Sequence, residues 1–221
     1  MRDLTLLIPA KKERESLPNV LDELKKFDLK ILIVLEKEDV ETINSVKNFD
    51  CEILMQSQKG YGNALIEGIN HISTKYFCIF NADGSFNPSE LKGMHSMAEI
   101  EKFDLVFGSR YEDGAGSEDD TLVTYVGNKV FSLLGKIFFS LPITDILYTF
   151  VLGNTEKVRN LNLNKKDFSF CVELPIKAKK AGFSLTTNVS YERKRIGGVK
   201  KVNAFKDGLK ILISMIFLYF I

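Results

Sequence analysis

Short apolar runs punctuate the first half of the chain at residues 4–8 (LTLLI), 31–35 (ILIVL), 51–55 (CEILM), 76–80 (YFCIF) and 105–108 (LVFG). Their length and nearly continuous apolar character predict buried strands. Between them the apolar period lengthens to that of a helix. Leu17, Val20, Leu21 and Leu24 share one face, with Ser16 placed to cap that helix and Pro18 in its first turn. Residues 39–48 carry Val40, Ile43 and Val46 on a second helical face; a third helix follows Gly60 and Gly62, and a fourth follows Pro88. Strand and helix in regular alternation imply an α/β fold with a mostly parallel central sheet covered by helices on both faces. Ligands in such sheets bind beyond the carboxyl ends of the strands.

After Gly108 the rhythm changes. Residues 112–120 (EDGAGSEDD) hold five acids and two glycines, which reads as a mobile loop. Helical patterns follow at 122–141 and 168–181, then a strand near 184–189, a basic stretch at 191–201 and a last helix. Residues 211–221 (ILISMIFLYFI) carry no charge. At ~1.5 Å per residue they span roughly 17 Å, short of a ~30 Å hydrocarbon core. Three settings suit this segment: docking in lipid, packing on a membrane partner protein, or packing on its own domain. Seven Lys/Arg against two acids in residues 191–210, just ahead of the tail, suit attraction to anionic head groups.

Composition narrows the classes. A chain of 221 residues with 45% hydrophobic and 27% charged positions is an ordinary globular protein. A net charge of +1 argues against a globally basic nucleic-acid binder. Cys51, Cys78 and Cys171 read as reduced core residues, and no Cys/His cluster has zinc-ligand spacing. The chain opens without a signal-peptide pattern, which suggests a cytoplasmic protein. The expected organisation is one catalytic domain over residues 1–202 followed by an amphipathic, membrane-interfacial helix over 203–221.

Polar groups cluster where strands end: Pro9-Ala10-Lys11-Lys12-Glu13, Glu36-Lys37-Glu38-Asp39, Asn81-Ala82-Asp83-Gly84-Ser85 and Ser109-Arg110. Singly, each is equally a helix cap or a solvated turn. Together they outline one rim. Asn81-Ala82-Asp83 suits a divalent ion held by a few side chains and phosphate oxygens. Lys59-Gly60-Tyr61-Gly62 precedes a helix, where glycines expose backbone amides and the helix start favours anions.

Seven segments in the same order resemble glycosyltransferase family 2, and most of all its polyprenol-phosphate (dolichol-phosphate) mannosyltransferase branch. They are LLIPAKKERESLPNVLDEL, KGYGNALIEGI, FNADGSFNPSEL, GSRY at 108–111, VGNKVFSLLGKIFFSLPITDILYTF with Asn128, Asp145 and Phe150, FSFCVELPIKAKKAG with Glu173 and Gly182, and RIGGVKKV with Arg195, Gly198 and Lys201. The resemblance implies a GT-A fold and a metal-dependent, inverting transfer of sugar from a GDP- or UDP-linked donor to a polyprenyl phosphate. The work would be done at the cytoplasmic face of a membrane, with no nucleic acid involved. It places the nucleotide-sugar on Pro9, Ala10, Glu13, Glu36, Lys59, Gly60, Gly62, Asn81, Ala82 and Asp83. It places Mg2+ or Mn2+ on Asp83 with Asn81 and Ser85. Asp83, Arg110, Asp145, Glu173, Arg195 and Lys201 become the catalytic candidates, the cations bearing on the departing diphosphate or the acceptor phosphate.

The chain departs from the family pattern at four places. Lys12 replaces the usual asparagine, Leu35 or Glu36 stands where an aspartate meets the nucleobase, Asn81 replaces the first aspartate of DxD, and Val151 follows Phe150 where arginine is common. Loss of one carboxylate predicts weaker metal binding. Two alternatives fit the same residues. One is transfer to a saccharide hydroxyl, which needs Asp145 or Glu173 as base. The other is a degenerate sugar-nucleotide binder without turnover.

Overall fold

The computed structural model describes residues 1–197 and 203–220. Strands β1 (Leu4–Ala10), β2 (Lys30–Leu35), β3 (Glu52–Met55), β4 (Tyr76–Ile79) and β5 (Leu105–Ser109) alternate with helices α1 (Leu17–Leu24), α2 (Val40–Val46), α3 (Tyr61–His71) and α4 (Leu91–Glu99). Then come β6 (Gly116–Ser117), α5 (Leu122–Phe139), β7 (Val151–Asn154), α6 (Thr155–Arg159), α7 (Phe170–Lys180), β8 (Leu185–Val189), β9 (Tyr191–Glu192) and α8 (Ala204–Phe220). The seven-stranded sheet has the order β3-β2-β1-β4-β7-β5-β8. Every pairing in it is parallel except those of β7, which lies antiparallel between β4 and β5. The predicted α/β class and mostly parallel sheet are therefore present. The antiparallel strand was not foreseen, because VLGN is too short to stand out by period.

Strand order reverses between β1 and β4, the place where open α/β sheets form a crevice. β1 pairs with β4 only from Leu4↔Tyr76 to Leu7↔Ile79, whereas its pairing with β2 continues to Ala10↔Leu35. Pro9 thus sits where one neighbour has already ended, and its missing N–H interrupts no ladder on that side. Phe80, Phe86, Phe150 and Tyr148 pack beneath this crevice, with Phe86 stacked on Phe150 at 4.7 Å between centroids.

Several local expectations change. Ser16 caps nothing: its hydroxyl donates to Glu13 Oε2 at 2.6 Å. Val40 points outward, and Thr42 takes the inward position beside Val46. The acidic segment 112–120 is tied down rather than loose, since β6 within it pairs in parallel with β9.

The last helix packs on its own domain. Ile211, Met215 and Leu218 join the main core cluster, and α8 lies against α5 and α7. Its other side, including Leu209, Ile213, Phe217 and Phe220, is exposed. The helix α5 beside it is inside out. Its buried residues are Asn128, Ser132 and Gly135, while Val123, Val126, Val130, Leu133 and Ile137 face outward. Its 18 residues have a mean hydropathy of 1.2, so α5 and α8 present one shared apolar face. Two substitutions on α8 separate its two sides. Met215→Ala should cost about 2–4 kcal/mol in urea unfolding, whereas Phe217→Ser should stay within about 0.5 kcal/mol of wild type.

Candidate active site

Because β1 to β5 run in parallel, their following residues meet at one edge of the sheet. The antiparallel β7 begins there and β8 ends there, so the segments at 141–150 and 190–197 join the same rim. On the β1–β2 side Lys11 Nζ pairs with Glu36 Oε1 at 2.7 Å, and Lys59 Nζ stands 3.9 Å from Glu36 Oε2. These three predicted or flanking residues do converge. Lys12 adopts φ 54, a left-handed conformation asparagine visits readily and lysine does not. Its N–H donates to Asp39 Oδ2 at 2.6 Å, which holds the turn. Glu13 lies beneath the rim, only 5% exposed, with its carboxylate accepting from Ser16. Its backbone N–H also donates to Thr42 Oγ1 at 3.0 Å, so it braces the turn that leads into α1.

Asn81, Ala82, Asp83 and Ser85 form one tight turn, with Gly84 at φ 83. Asp83 Oδ1 accepts from the Ser85 N–H at 3.0 Å and the Ser85 hydroxyl at 2.7 Å, and Asn81 Nδ2 reaches Ser85 Oγ at 3.3 Å. An amide oxygen, a hydroxyl and one carboxylate make a hard donor set that suits Mg2+ or Mn2+. Among the described residues no three His, Cys, Asp or Glu side chains gather to hold a metal unaided. The set therefore fits an ion that takes its remaining ligands from a bound diphosphate. Arg195 faces the same carboxylate, its Nη1 3.6 Å from Asp83 Oδ2. The segment carrying Arg195 is laced to the turn by Ile196 N to Asp83 O at 2.8 Å and Arg193 N to Ser85 O at 2.8 Å. Asp119, in the acidic segment, holds Arg195 from the other side at 2.6 and 3.1 Å.

Arg110 was expected to bear on the departing diphosphate or the acceptor phosphate. The structure instead encloses it. Its Nε donates to Asp145 Oδ2 at 2.7 Å, Nη2 to Asp145 Oδ1 at 3.0 Å and Nη1 to Glu192 Oε2 at 2.9 Å, with Tyr148 stacked 4.5 Å away. Asp145 is itself buried and also accepts from Asn128 and from the Arg110 N–H. Burial opposes the guanidinium charge, but the bonds and charge of Asp145, then Glu192, outweigh it and hold its pKa above the ordinary value. Tyr111 and Tyr148 are pushed up as well, chiefly by burial.

Glu173 is fully buried on α7. Its oxygens accept from the N–H groups of Asn164 and Lys165 at 2.8–3.0 Å and pair with Lys177 Nζ at 2.8 Å. It fixes the 164–167 loop, and a role as general base has no place in that arrangement. That loop also accounts for Gly60 and Gly62. A Cβ on Gly60 would lie 2.2 Å from Lys166 O, and one on Gly62 2.1 Å from Lys165 O. The close approach that demands glycine is therefore made by the chain itself, with Asn63 N donating to Lys166 O at 3.1 Å. Tyr61 between them donates its hydroxyl to Thr149 Oγ1 at 2.8 Å, which ties the α3 start to the segment before β7. Lys201 and Gly198 lie outside the described residues.

Glu192 and Asp119 were not singled out from the sequence. For Asp119 the signal was there: the acidic run at 112–120 and the basic Arg193-Lys194-Arg195 carry opposite charges, and Asp119 and Glu118 meet Arg195 and the Lys194 N–H.

The model of the family described as glycosyl transferase family 2 matches residues 5–161. An uncharacterized glycosyltransferase of Mycobacterium tuberculosis is 29% identical over 212 residues, covering 95% of this chain and 94% of that relative. An uncharacterized protein of Methanocaldococcus jannaschii is 24% identical, covering 97% and 93%. Among solved structures, glucosyl-3-phosphoglycerate synthase of Mycobacterium tuberculosis, in complex with Mn2+, UDP and glucosyl-3-phosphoglycerate, superposes with a TM-score of 0.77 at 12% identity. It covers all of this chain (100%) and 81% of that one.

Removing the Asp145 charge leaves Arg110 buried with half its anchorage. Asp145→Asn should therefore destabilise the protein by about 3–5 kcal/mol in urea unfolding, far more than an exposed pair such as Arg2–Asp28 would.

Proposed function

Since the chain belongs to glycosyl transferase family 2, we propose that it moves a sugar from a nucleoside diphosphate to a polyprenyl phosphate at a membrane surface, with inversion. The observation that carries this acceptor is the state of the two candidate bases. Asp145 is clamped by Arg110 and Asn128, and Glu173 is bonded to two amides and Lys177. A sugar hydroxyl needs a carboxylate to take its proton. A phosphate monoester, with a second pKa near ~6, is already largely dianionic at neutral pH. Its oxygen attacks the anomeric carbon as the bond to the diphosphate breaks, and the nucleoside diphosphate leaves with the electron pair. No proton has to move.

Asn81, Asp83 and Ser85 would hold Mg2+ or Mn2+, which supplies positive charge to the departing diphosphate. Mn2+ together with UDP in the structurally similar synthase supports that choice. Lys11, Glu36 and Lys59 border the space for the nucleoside, and Arg195 faces the diphosphate side through Asp83. The outward apolar face of α5 and α8 supports placement on a bilayer, the cytoplasmic face being the one expected from the sequence.

The synthase's product name points to the second reading, a soluble acceptor. Radiolabelled sugar nucleotides offered with polyprenyl phosphate in vesicles, and separately with soluble saccharides and 3-phosphoglycerate, distinguish the two. Transfer to the lipid, reduced at least about a hundredfold in Asp83→Ala, is expected. Turnover confined to a soluble acceptor would overturn the lipid reading, and no turnover with any donor would favour a binder without activity.

Arg195 and a divalent cation oppose one another at Asp83. Arg195→Gln should tighten Mn2+ binding measured by calorimetry roughly tenfold, and Asn81→Asp, by restoring a charge, should do the same.

A further inference from the structure

Between the Lys59–Gly60 turn, the 164–167 loop and α8 lies an open cleft of about 560 Å³, lined by Lys59, Lys165, Lys166 and Lys210. Among the described residues Asp167 is the one acid in its lining, 3.5 Å from Lys210. Lys166 donates to the neutral Gln58, and Lys59 leans toward Glu36 and Glu38 at 3.9 and 4.0 Å. The lining thus carries more lysines than acids, Lys59 and Lys210 being, among the described residues, the two with an acid within 4.0 Å.

Its walls are built rigidly. Glu173 fixes the backbone that carries Lys165, and the carbonyls of Lys165 and Lys166 lock against Gly62, Gly60 and Asn63. Two lysines are therefore held on a short braced loop opposite a third on α8. On the α8 side Ile213 lines the cleft between Lys210 and Ser214 and belongs to the exposed apolar face that continues through Leu209 and Phe217. A small soluble anion would match the ammonium groups and leave that ledge bare. A phosphate attached to acyl chains matches both.

We infer that this cleft binds the phosphate headgroup of an anionic membrane lipid. The inference rests on the proposal that the α5–α8 face meets a bilayer, and adds to it a headgroup site separate from the Asn81–Ser85 turn. Lys59 lines the cleft and also leans toward Glu36 on the rim. Binding through the lysines weakens with salt, as the apolar contact does not.

The test uses the full chain and sedimentation with vesicles of phosphatidylcholine, alone or mixed with phosphatidylglycerol. Each lysine near an anionic surface contributes about fivefold in affinity. The wild type should prefer the mixed vesicles by about tenfold or more. Lys165→Glu/Lys210→Glu should lose that preference while keeping its binding to neutral vesicles, and Lys165→Gln/Lys210→Gln should lose most of it. Lys26→Glu/Lys47→Glu, the same charge change at the far end of the sheet, should keep it.

A cleft variant that retains the preference, or a control that loses as much, overturns the headgroup site. Equal wild-type binding to both vesicle types leaves the membrane reading standing and ends the cleft proposal. Absence of binding to either ends both. Glycerol phosphate serves as the soluble arm: a rise in thermal midpoint that needs Lys165 and Lys210, without vesicle preference, would assign the cleft to a soluble phosphate ester instead.

Discussion

One buried carboxylate ties the functional edge of this molecule together. Asp145 lies on the approach to β7, yet it holds Arg110 at the end of β5 and Asn128 on α5, and through Arg110 it reaches Glu192 on β9. Four segments distant in sequence meet at that ion pair. Charges withdrawn from water in this way are stable only when every partner is present, so the rim is assembled as a unit. Arg195 and Asp83 inherit their positions from it, because the strand carrying Glu192 leads directly into the segment that crosses the Asn81–Ser85 turn.

Most of the architecture was legible in the chain. The five apolar runs are strands, the helices between them lie where their periods placed them, and the strand ends meet at one rim. What escaped were features that period cannot encode. β7 is four residues long and owes its place to neighbours on both sides. The acidic segment 112–120 looked mobile because its glycines and charges were read locally, whereas Arg195, Tyr191 and β9 supply its partners from about 75 residues away. The motif residues were found, but several have a different physical reason. Gly60 and Gly62 admit the protein's own 164–167 loop, and Glu173 braces that loop. A sequence motif says that a residue type is needed, and only the packed neighbours say by whom. Lys12 is the reverse case: the usual asparagine is explained once the backbone there is seen to be left-handed.

The inversion of α5 links packing to function. A helix that turns Asn128, Ser132 and Gly135 inward can serve the buried polar cluster around Asp145, since Asn128 bonds the carboxylate and Ser132 accepts the Ile146 N–H. The apolar residues are then forced outward. The same arrangement that completes the ion-pair cluster therefore creates the exposed face, and α8 enlarges it by burying only one of its own sides. The polar cluster at the rim and the exposed apolar face share one structural cause.

The placement of β7 also orders the birth of the fold. β3, β2, β1 and β4 are drawn from residues 4–79 and can pair among themselves before any later segment is needed. β5 has no neighbour in that group. It must wait until residues 151–154 emerge to bridge it to β4, and until residues 185–189 arrive to cover its other edge. For that interval the nascent polypeptide carries an apolar strand with two open edges, a period in which chaperone protection is physically warranted.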